Sequence, residues 1–361
     1  LPVHALPAPV GVSFYTFTLL SALSDVYHGR APMEKNLIRF ALFVSFFPKL
    51  TSGPIVQYAD MQPQLEPHEF VRERVGSGMR LFVIGLAKKV ILAGLLGTPF
   101  YALKALGPQA LSVCGAWLGA LLYALMLYFD FSGYSDMAIG LGRMLGFRFP
   151  ENFRYPYLCS SISDFWRRWH ISLGSWFKEY LYFPLGGSRT GTLRTLRNLL
   201  LVWLATGLWH GASWNYVLWG LYFGVLICLE KLLAPRFWAH PRKGLLAGLY
   251  RPVCLLLAVL GWVLFRAEDL PAAGRYFACL FGGAAGASAQ ARLYLHDFWP
   301  VLLLGAVGAT PLCAKLAGRL GAKLQPGVRA AVQAVLVLAL LACSTVWLLN
   351  GSFQSFVYFQ F

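Results

Sequence analysis

The sequence predicts an all-α integral membrane protein that crosses the bilayer several times. Three observations carry this. Hydrophobic residues make up 58% of the chain and charged residues only 13%, far from the balance of soluble domains. Long uncharged runs recur, without the period-two alternation of a membrane β-barrel. The basic residues that bring the net charge to +16 cluster between those runs, at 143–168, 178–197, 231–243 and 315–329. That is the positive-inside pattern, which assigns most of these loops to the cytoplasmic face and argues against a nucleic-acid partner.

Residues 111–129 and 330–349 are uncharged and long enough to span, and 253–265 extends back through Gly244 with Arg251 as its one charge. Residues 37–56, 78–96 and 298–312 are weaker candidates. Residues 58–74 are polar and predict a surface loop or short helix. Residues 282–291 and 305–321 are rich in Gly and Ala, and predict a flexible loop followed by a closely packed helix. No internal repeat or long linker divides the chain, so residues 1–361 read as a single membrane domain. The seven cysteines are scattered and show no C-x-x-C or Cys/His spacing. They read as small buried residues, and no metal site is expected. The chain starts at Leu1 without a signal-peptide pattern.

In residues 161–183, apolar side chains recur at Ile162, Phe165, Trp166, Trp169, Leu173, Trp176, Phe177 and Tyr180, a helical stripe. Ser161 and Asp164 resemble a capping box at its start. Arg167, Arg168, Lys178 and Glu179 lie on the other side. This predicts one helix lying in the interface or in a shallow groove. A turn-rich basic loop, residues 184–191, follows.

Residues 199–229 contain no Asp, Glu, Lys or Arg, yet His210 sits among them. A single helix of that length would measure about 46 Å against a hydrocarbon core of about 30 Å. Both flanks are basic, with Arg194 and Arg197 before and Lys231 and Arg236 after. A single crossing would place one of them outside, so a broken or re-entrant segment is expected, with the break near Gly207, Gly211 and Ser213. Irregular backbone within a membrane has to be buried in protein or line a wet cavity, which turns His210 toward a cavity. In a local helix Thr206, Gly207, His210, Ser213 and Trp214 share one face. An ionisable side chain in such a run marks a functional site by default. A low dielectric favours the neutral imidazole, the form a general base needs; the alternative is a structural histidine hydrogen-bonded to a neighbouring helix. Gly207 and Gly211 form a G-x-x-x-G pair that also fits plain helix packing. Asp130 and Asp136 adjoin apolar residues and require partners, with Arg143, Arg148, Arg154, Arg167 and Arg168 as candidates. A structural ion pair is one role for them, and orienting a histidine ring is the other.

Several blocks then resemble the membrane-bound O-acyltransferase (MBOAT) family, in its alginate O-acetyltransferase membrane-subunit branch. They are Gly11-Val-Ser-Phe-Tyr-Thr-Phe17, Phe47-Pro-Lys-Leu-Thr-Ser-Gly-Pro54, Tyr128-Phe-Asp-Phe-Ser-Gly-Tyr-Ser-Asp136, Asp164-Phe-Trp-Arg-Arg-Trp-His-Ile-Ser-Leu173, Tyr180-Leu-Tyr-Phe-Pro-Leu-Gly-Gly187, Gly207-Leu-Trp-His-Gly-Ala-Ser-Trp214 and Phe356-Val-Tyr-Phe-Gln-Phe361. Their order and spacing match across nearly the whole chain. Two features depart from the family: further helices normally precede the block at Gly11, so N-terminal helices are expected to be missing, and Phe223 stands where many relatives carry a histidine.

The resemblance implies a helical fold around a central cavity, with a broken or re-entrant helix, interfacial helices and two catalytic histidines, His210 and His170. It implies His210 as the base that deprotonates the acceptor as it attacks a thioester or ester. Oxyanion donors would come from His170, tryptophan indoles or an adjacent arginine, which makes Trp169, Trp209, Trp214, Arg167 and Arg168 candidate supporting residues beside Asp130 and Asp136. Arg167, Arg168, Lys178, Arg189 and Arg194 could attract a phosphate-bearing donor such as acetyl-CoA, although positive-inside charge explains the same residues. No permanently bound cofactor is implied. The function expected is transfer of an acyl group, by resemblance acetyl, from a cytoplasmic thioester across a bacterial cytoplasmic membrane, for O-acetylation of an exported polysaccharide with an extracytoplasmic acetyltransferase partner. Alternatives are D-alanyl transfer to teichoic acids and, in another class, a transporter or channel. A transporter should show paired interrupted helices in pseudo-symmetric halves, and one interrupted segment is seen.

Overall fold

The computed structural model describes residues 11–67, 69, 71–189, 191–237, 245–282 and 288–350. Among them every regular element is helical. Five helices are long and apolar enough to cross a membrane, and a sixth span exists if one bent pair is counted. In chain order the helices are α1 (Val12–Tyr27), α2 (Leu37–Ser45), α3 (Arg72–Ala105), α4 (Val113–Met144), α5 (Ile162–Trp166), α6 (Ile171–Phe177), α7 (Thr192–His210), α8 (Trp214–Phe237), α9 (Leu245–Arg266), α10 (Leu270–Leu280), α11 (Ala289–Gly308), α12 (Leu312–Ala322) and α13 (Pro326–Leu349).

Helix α4 is the axis of the fold. Most of its apolar window is buried, whereas that of α13 is almost wholly exposed. α3 runs antiparallel to it at backbone distance: a Cβ on Gly85 would lie 2.5 Å from the Gly133 carbonyl oxygen, and one on Gly78 2.6 Å from that of Gly140. Small residues permit this approach where lipid-like surroundings give helices little hydrophobic reason to associate. A wide turn over Lys88–Leu92 interrupts α3 and presents two consecutive lysines to α4, where Lys89 pairs with Asp130 and Lys88 with Asp136 (2.6 Å). Both aspartates thus take the structural ion-pair role, with lysines of α3 as partners in place of the arginines expected from the sequence.

The uncharged run folds as a hairpin. α7 ends at His210, the chain turns through Gly211–Ser213, and α8 returns. A Cβ on Gly207 would meet the Tyr216 carbonyl oxygen at 2.5 Å, and one on Gly220 the Trp203 carbonyl oxygen at 2.3 Å. The break therefore falls at Gly211–Ser213, while Gly207 is a packing position inside α7. The hairpin also brings Arg194 and Lys231 to the same end, as the charge argument required.

Other segments depart from expectation. Residues 161–183 are not one helix: α5 stops at Trp166, His170 takes a left-handed conformation (φ 46°), and α6 begins at Ile171. Residues 37–56 do not span, because α2 ends at Phe46, whose extended backbone precedes Pro48. The polar segment 58–74 is partly core: Tyr58 and Met61 are fully buried beneath α1 and α2, and Arg72 already opens α3. Residues 305–321 bend by 71° between α11 and α12, next to Pro311. The weak candidate at 78–96 is part of the long α3, and the strong one at 111–129 continues to Met144. The block 356–361 and residues 283–287 of the Gly/Ala-rich loop lie outside the described residues.

The Gly220 contact generates a prediction, since backbone at 2.3 Å cannot be moved by a rotamer change. Gly220→Ala should destabilise the protein by about 1–3 kcal/mol, read as a lower melting temperature in detergent. Gly318→Ala, inside α12 where a Cβ meets nothing within 4 Å, should raise that temperature slightly, because Ala is the better helix former.

Candidate active site

α7, α8 and α9, together with the segment from Leu158 to Tyr182 that carries α5 and α6, line a cavity of about 1300 Å³ that contains both histidines in its lining. α8 and α9 contribute polar or charged residues at one end and aromatic side chains at the other, and α7 runs from an apolar end to His210. α7 supplies Leu199, Trp203, Thr206 and His210; α8 supplies Lys231, Glu230 and Trp219; α9 supplies Arg251, Tyr250, Trp262 and Phe265. At the helical rise these spans give a depth of about 16–22 Å. The mouth carries Arg167, Arg168, Lys178, Lys231 and Arg251 against Asp164 and Glu230.

The two acids are engaged in holding the mouth together. Glu230 accepts the backbone N–H groups of Ile162 and Ser163, the Ser163 hydroxyl (2.6 Å) and the Tyr250 hydroxyl (2.8 Å). A carboxylate is thereby set on the N-terminus of α5, where orphan donors and the helix dipole favour it. The Ser161 hydroxyl accepts Asp164 N–H (2.9 Å), as a cap should, but the Asp164 carboxylate reaches Ser160 (N–H 3.0 Å) rather than Ser161. Arg168 pairs with Asp164 at 3.0 Å, whereas the Arg167 side chain is 72% exposed. Burial alone would raise the Asp164 carboxyl; the hydrogen bonds from Arg168 and Ser160 outweigh it and hold the group below its usual range.

Away from the mouth lies an aromatic shell. The His210 ring stands 5.0 Å from Trp219, 5.0 Å from Phe265 and 4.6 Å from Trp209. The His170 ring is edge-on to Phe131 at 4.7 Å. The indole N–H groups of Trp166 and Trp219 are buried and have no hydrogen-bond partner among the described residues. His170 is 3% exposed, and its Nδ1 lies 3.2 Å from Asn152 Oδ1.

The residues singled out from sequence fall into two groups. His170, His210, Arg167, Arg168 and Trp169 line the cavity. Trp209, Trp214, Asp130 and Asp136 do not. Trp209 packs behind the histidines on Phe14 and Phe17 and gives its indole N–H to Ser13. Trp214 follows the hairpin turn and is 70% exposed. Arg189 and Arg194 are absent from the mouth, where Lys231 and Arg251 stand instead. Sequence reasoning missed Asn152, Glu230, Trp219 and Trp262. Glu230 had a signal: it is the acid that ends the uncharged run.

Residues 15–243 match the MBOAT, membrane-bound O-acyltransferase, family. The chain is 47% identical over 277 residues to a probable alginate O-acetylase of Pseudomonas fluorescens. This chain belongs to the MBOAT family. That match covers 76% of the chain and 54% of the relative. A peptidoglycan O-acetyltransferase of Helicobacter pylori is 38% identical over 295 residues, covering 73% and 55%. A teichoic acid D-alanyltransferase of Bacillus subtilis is 29% identical over 277 residues, covering 73% and 69%. The chain spans about half the length of the alginate O-acetylases it matches. Family membership agrees with the multi-span helical fold.

A pH dependence follows from Asp164. Its native carboxyl titrates below the unfolded value of roughly 3.9. The stability it contributes is complete above that value and is lost as pH falls through the native one. Between about pH 5 and pH 3, the melting temperature of the wild type should fall more steeply than that of Asp164→Asn.

Proposed function

We propose that this MBOAT chain transfers an acyl group, in this reading acetyl, from a thioester donor to a hydroxyl acceptor, for O-acetylation of an exported polysaccharide across a bacterial cytoplasmic membrane. One observation carries the reading: two histidines line one deep cavity whose mouth has an excess of cations. The mouth would take the anionic part of a thioester donor such as acetyl-CoA, and the depth suits an acyl group on an extended arm. His210 would remove the acceptor hydroxyl proton as its oxygen attacks the acyl carbon. The C–S bond then breaks and the proton passes to the thiolate. The developing oxyanion would be met by the indole N–H groups of Trp166 and Trp219, buried donors that turn into a dry space. Identity of 45–47% with alginate O-acetylases, against 27–29% with D-alanyltransferases, favours acetyl transfer over D-alanylation.

The acceptor polymer requires a partner in this reading. The donor is cytoplasmic and the polymer exported, and the described loops are too short to build a carbohydrate cleft. An extracytoplasmic acetyltransferase would complete the transfer.

Two measurements test this. His210→Ala should insert and express normally but lose about 10²-fold or more of acyl-transfer rate in proteoliposomes; full activity would end the assignment. Purified protein given acetyl-CoA alone should hydrolyse it or transfer its acetyl group slowly. Efficient acetylation of polymer without any partner would refute the relay.

A further inference from the structure

We propose that Asn152 is a positioning residue that locks His170 as its Nδ1–H tautomer, so that Nε2 is a proton-accepting nitrogen in the cavity. The inference rests on the acyl-transfer reading for its function, but on hydrogen-bond logic for its geometry. Ser172 N–H lies 3.1 Å from Asn152 Oδ1, and a backbone N–H can only donate. The carboxamide oxygen is thereby fixed on that side, and the amide nitrogen points the other way, donating to Ser135 Oγ at 2.9 Å. A flipped amide would set two donors against each other. The Ser172 hydroxyl accepts Ile55 N–H (3.0 Å) and donates to the same Oδ1 (2.9 Å). His170 Nδ1 therefore approaches an atom that is an acceptor, and at 3.2 Å it has to supply the hydrogen.

Backbone geometry supports the same arrangement. Ile171 N–H donates to Asn152 O at 3.0 Å, and Arg154 N–H to Arg168 O at 2.9 Å. The strand-like pairing clamps both sides of the left-handed turn at His170. Asn152 is itself 1% exposed, so it is a built part of the core, with its side-chain oxygen, side-chain nitrogen and backbone carbonyl all hydrogen-bonded.

The consequence reverses the oxyanion-donor role that the sequence suggested for His170. A neutral imidazole with its proton on Nδ1 has no N–H to offer from Nε2. It can take a proton there and return it. His170 follows Arg167 and Arg168 of the mouth with one residue between and lines the same cavity as His210. The acceptor's proton, taken up by His210, reaches the leaving thiolate by way of Nε2 of His170, which accepts one proton and releases one. The O–C bond forms, the C–S bond breaks, and both rings end as they began. The groups recorded against His170 from other elements include Phe131 of α4, Trp209 of α7 and Asn152, all neutral. On its own segment Ser172 is neutral, and Arg168 is paired with Asp164. Among the described residues His210 is the titratable group close enough to feel its charge.

The test uses the full chain in nanodiscs with ¹⁵N-histidine, the His170 signals assigned by comparison with His170→Gln. The expected spectrum at neutral pH has Nδ1 protonated and Nε2 unprotonated; the opposite pattern overturns the proposal. Kinetics give an independent reading. Asn152→Asp keeps the acceptor oxygen but sets an anion beside the ring, which favours imidazolium. It should retain most activity and move the acid limb of the pH–rate profile to higher pH. Asn152→Leu should lower kcat by about 10²-fold with little change in KM for the thioester. Coincident wild-type and Asp profiles, or a fully active Leu variant, would reject the role. Should the wild type show the Nδ1–H tautomer yet transfer no acyl group, the functional reading fails and the tautomer lock stands.

Discussion

Backbone groups inside an apolar helix bundle have to find partners within the protein, because no water is there to receive them. Helix interiors meet this demand automatically, but helix breaks do not. In this MBOAT chain the break at Arg167–His170 carries a histidine into the cavity, and the start of α5 before it and the backbone after it are both held by residues from outside the segment. Glu230 takes the first N–H groups of α5, and Asn152 takes those that follow His170. Losing either would leave buried donors unsatisfied, each at a cost of about 1–3 kcal/mol. The chemistry of the site and the integrity of the fold thus share the same hydrogen bonds.

The charge balance obeys a related rule. Acids number 15 against 31 lysines and arginines, and several of the acids inside the bundle serve as ties. Asp25, fully buried, holds the Tyr180 hydroxyl at 2.9 Å, Ala59 N–H at 2.9 Å and Arg30 at 3.5 Å. It thereby joins α1 and the turn at Tyr58 to the segment that places Lys178 and Tyr182 on the cavity wall. Asp130 and Asp136 hold α3 to α4. With these acids committed to internal partners, the cations at the mouth keep their excess, so the anion-attracting entrance is a by-product of how the fold spends its carboxylates.

The class, the long helices and the hairpin break were legible because each has a one-dimensional signature: length of an uncharged run, flanking charge, a Gly-Ala-Ser turn. His210 stood out for the same reason, as an ionisable group in an uncharged run, whereas His170 was named through the family resemblance alone. What sequence could not supply was long-range pairing. The lysines of α3 sit more than 40 residues from their aspartates, and a helix stripe through residues 161–183 conceals a left-handed turn that only Asn152 and Arg154 enforce. Trp209 and Trp214 illustrate the limit on helical-wheel reasoning. They neighbour His210 in sequence, yet one is turned into the core behind it and the other lies beyond the break.

In the proposed transfer, the hairpin and the clamped loop give the two histidines different surroundings. α7 carries His210 down from the basic end along about 16 Å of cavity wall, so His210 is placed by helix length and by the close glycine packing of α7 against α8. His170 is placed by a turn immediately after the mouth arginines, held by a hydrogen-bonded amide. One ring is set by packing and the other by polar complementarity. The proposed proton path, from the acceptor beside His210 to the departing thiolate, needs one group at each station. Identical environments would leave nothing to direct the proton. A ring enclosed by Trp219 and Phe265, facing one whose tautomer is dictated by a carboxamide, supplies that asymmetry from residues that form the core itself.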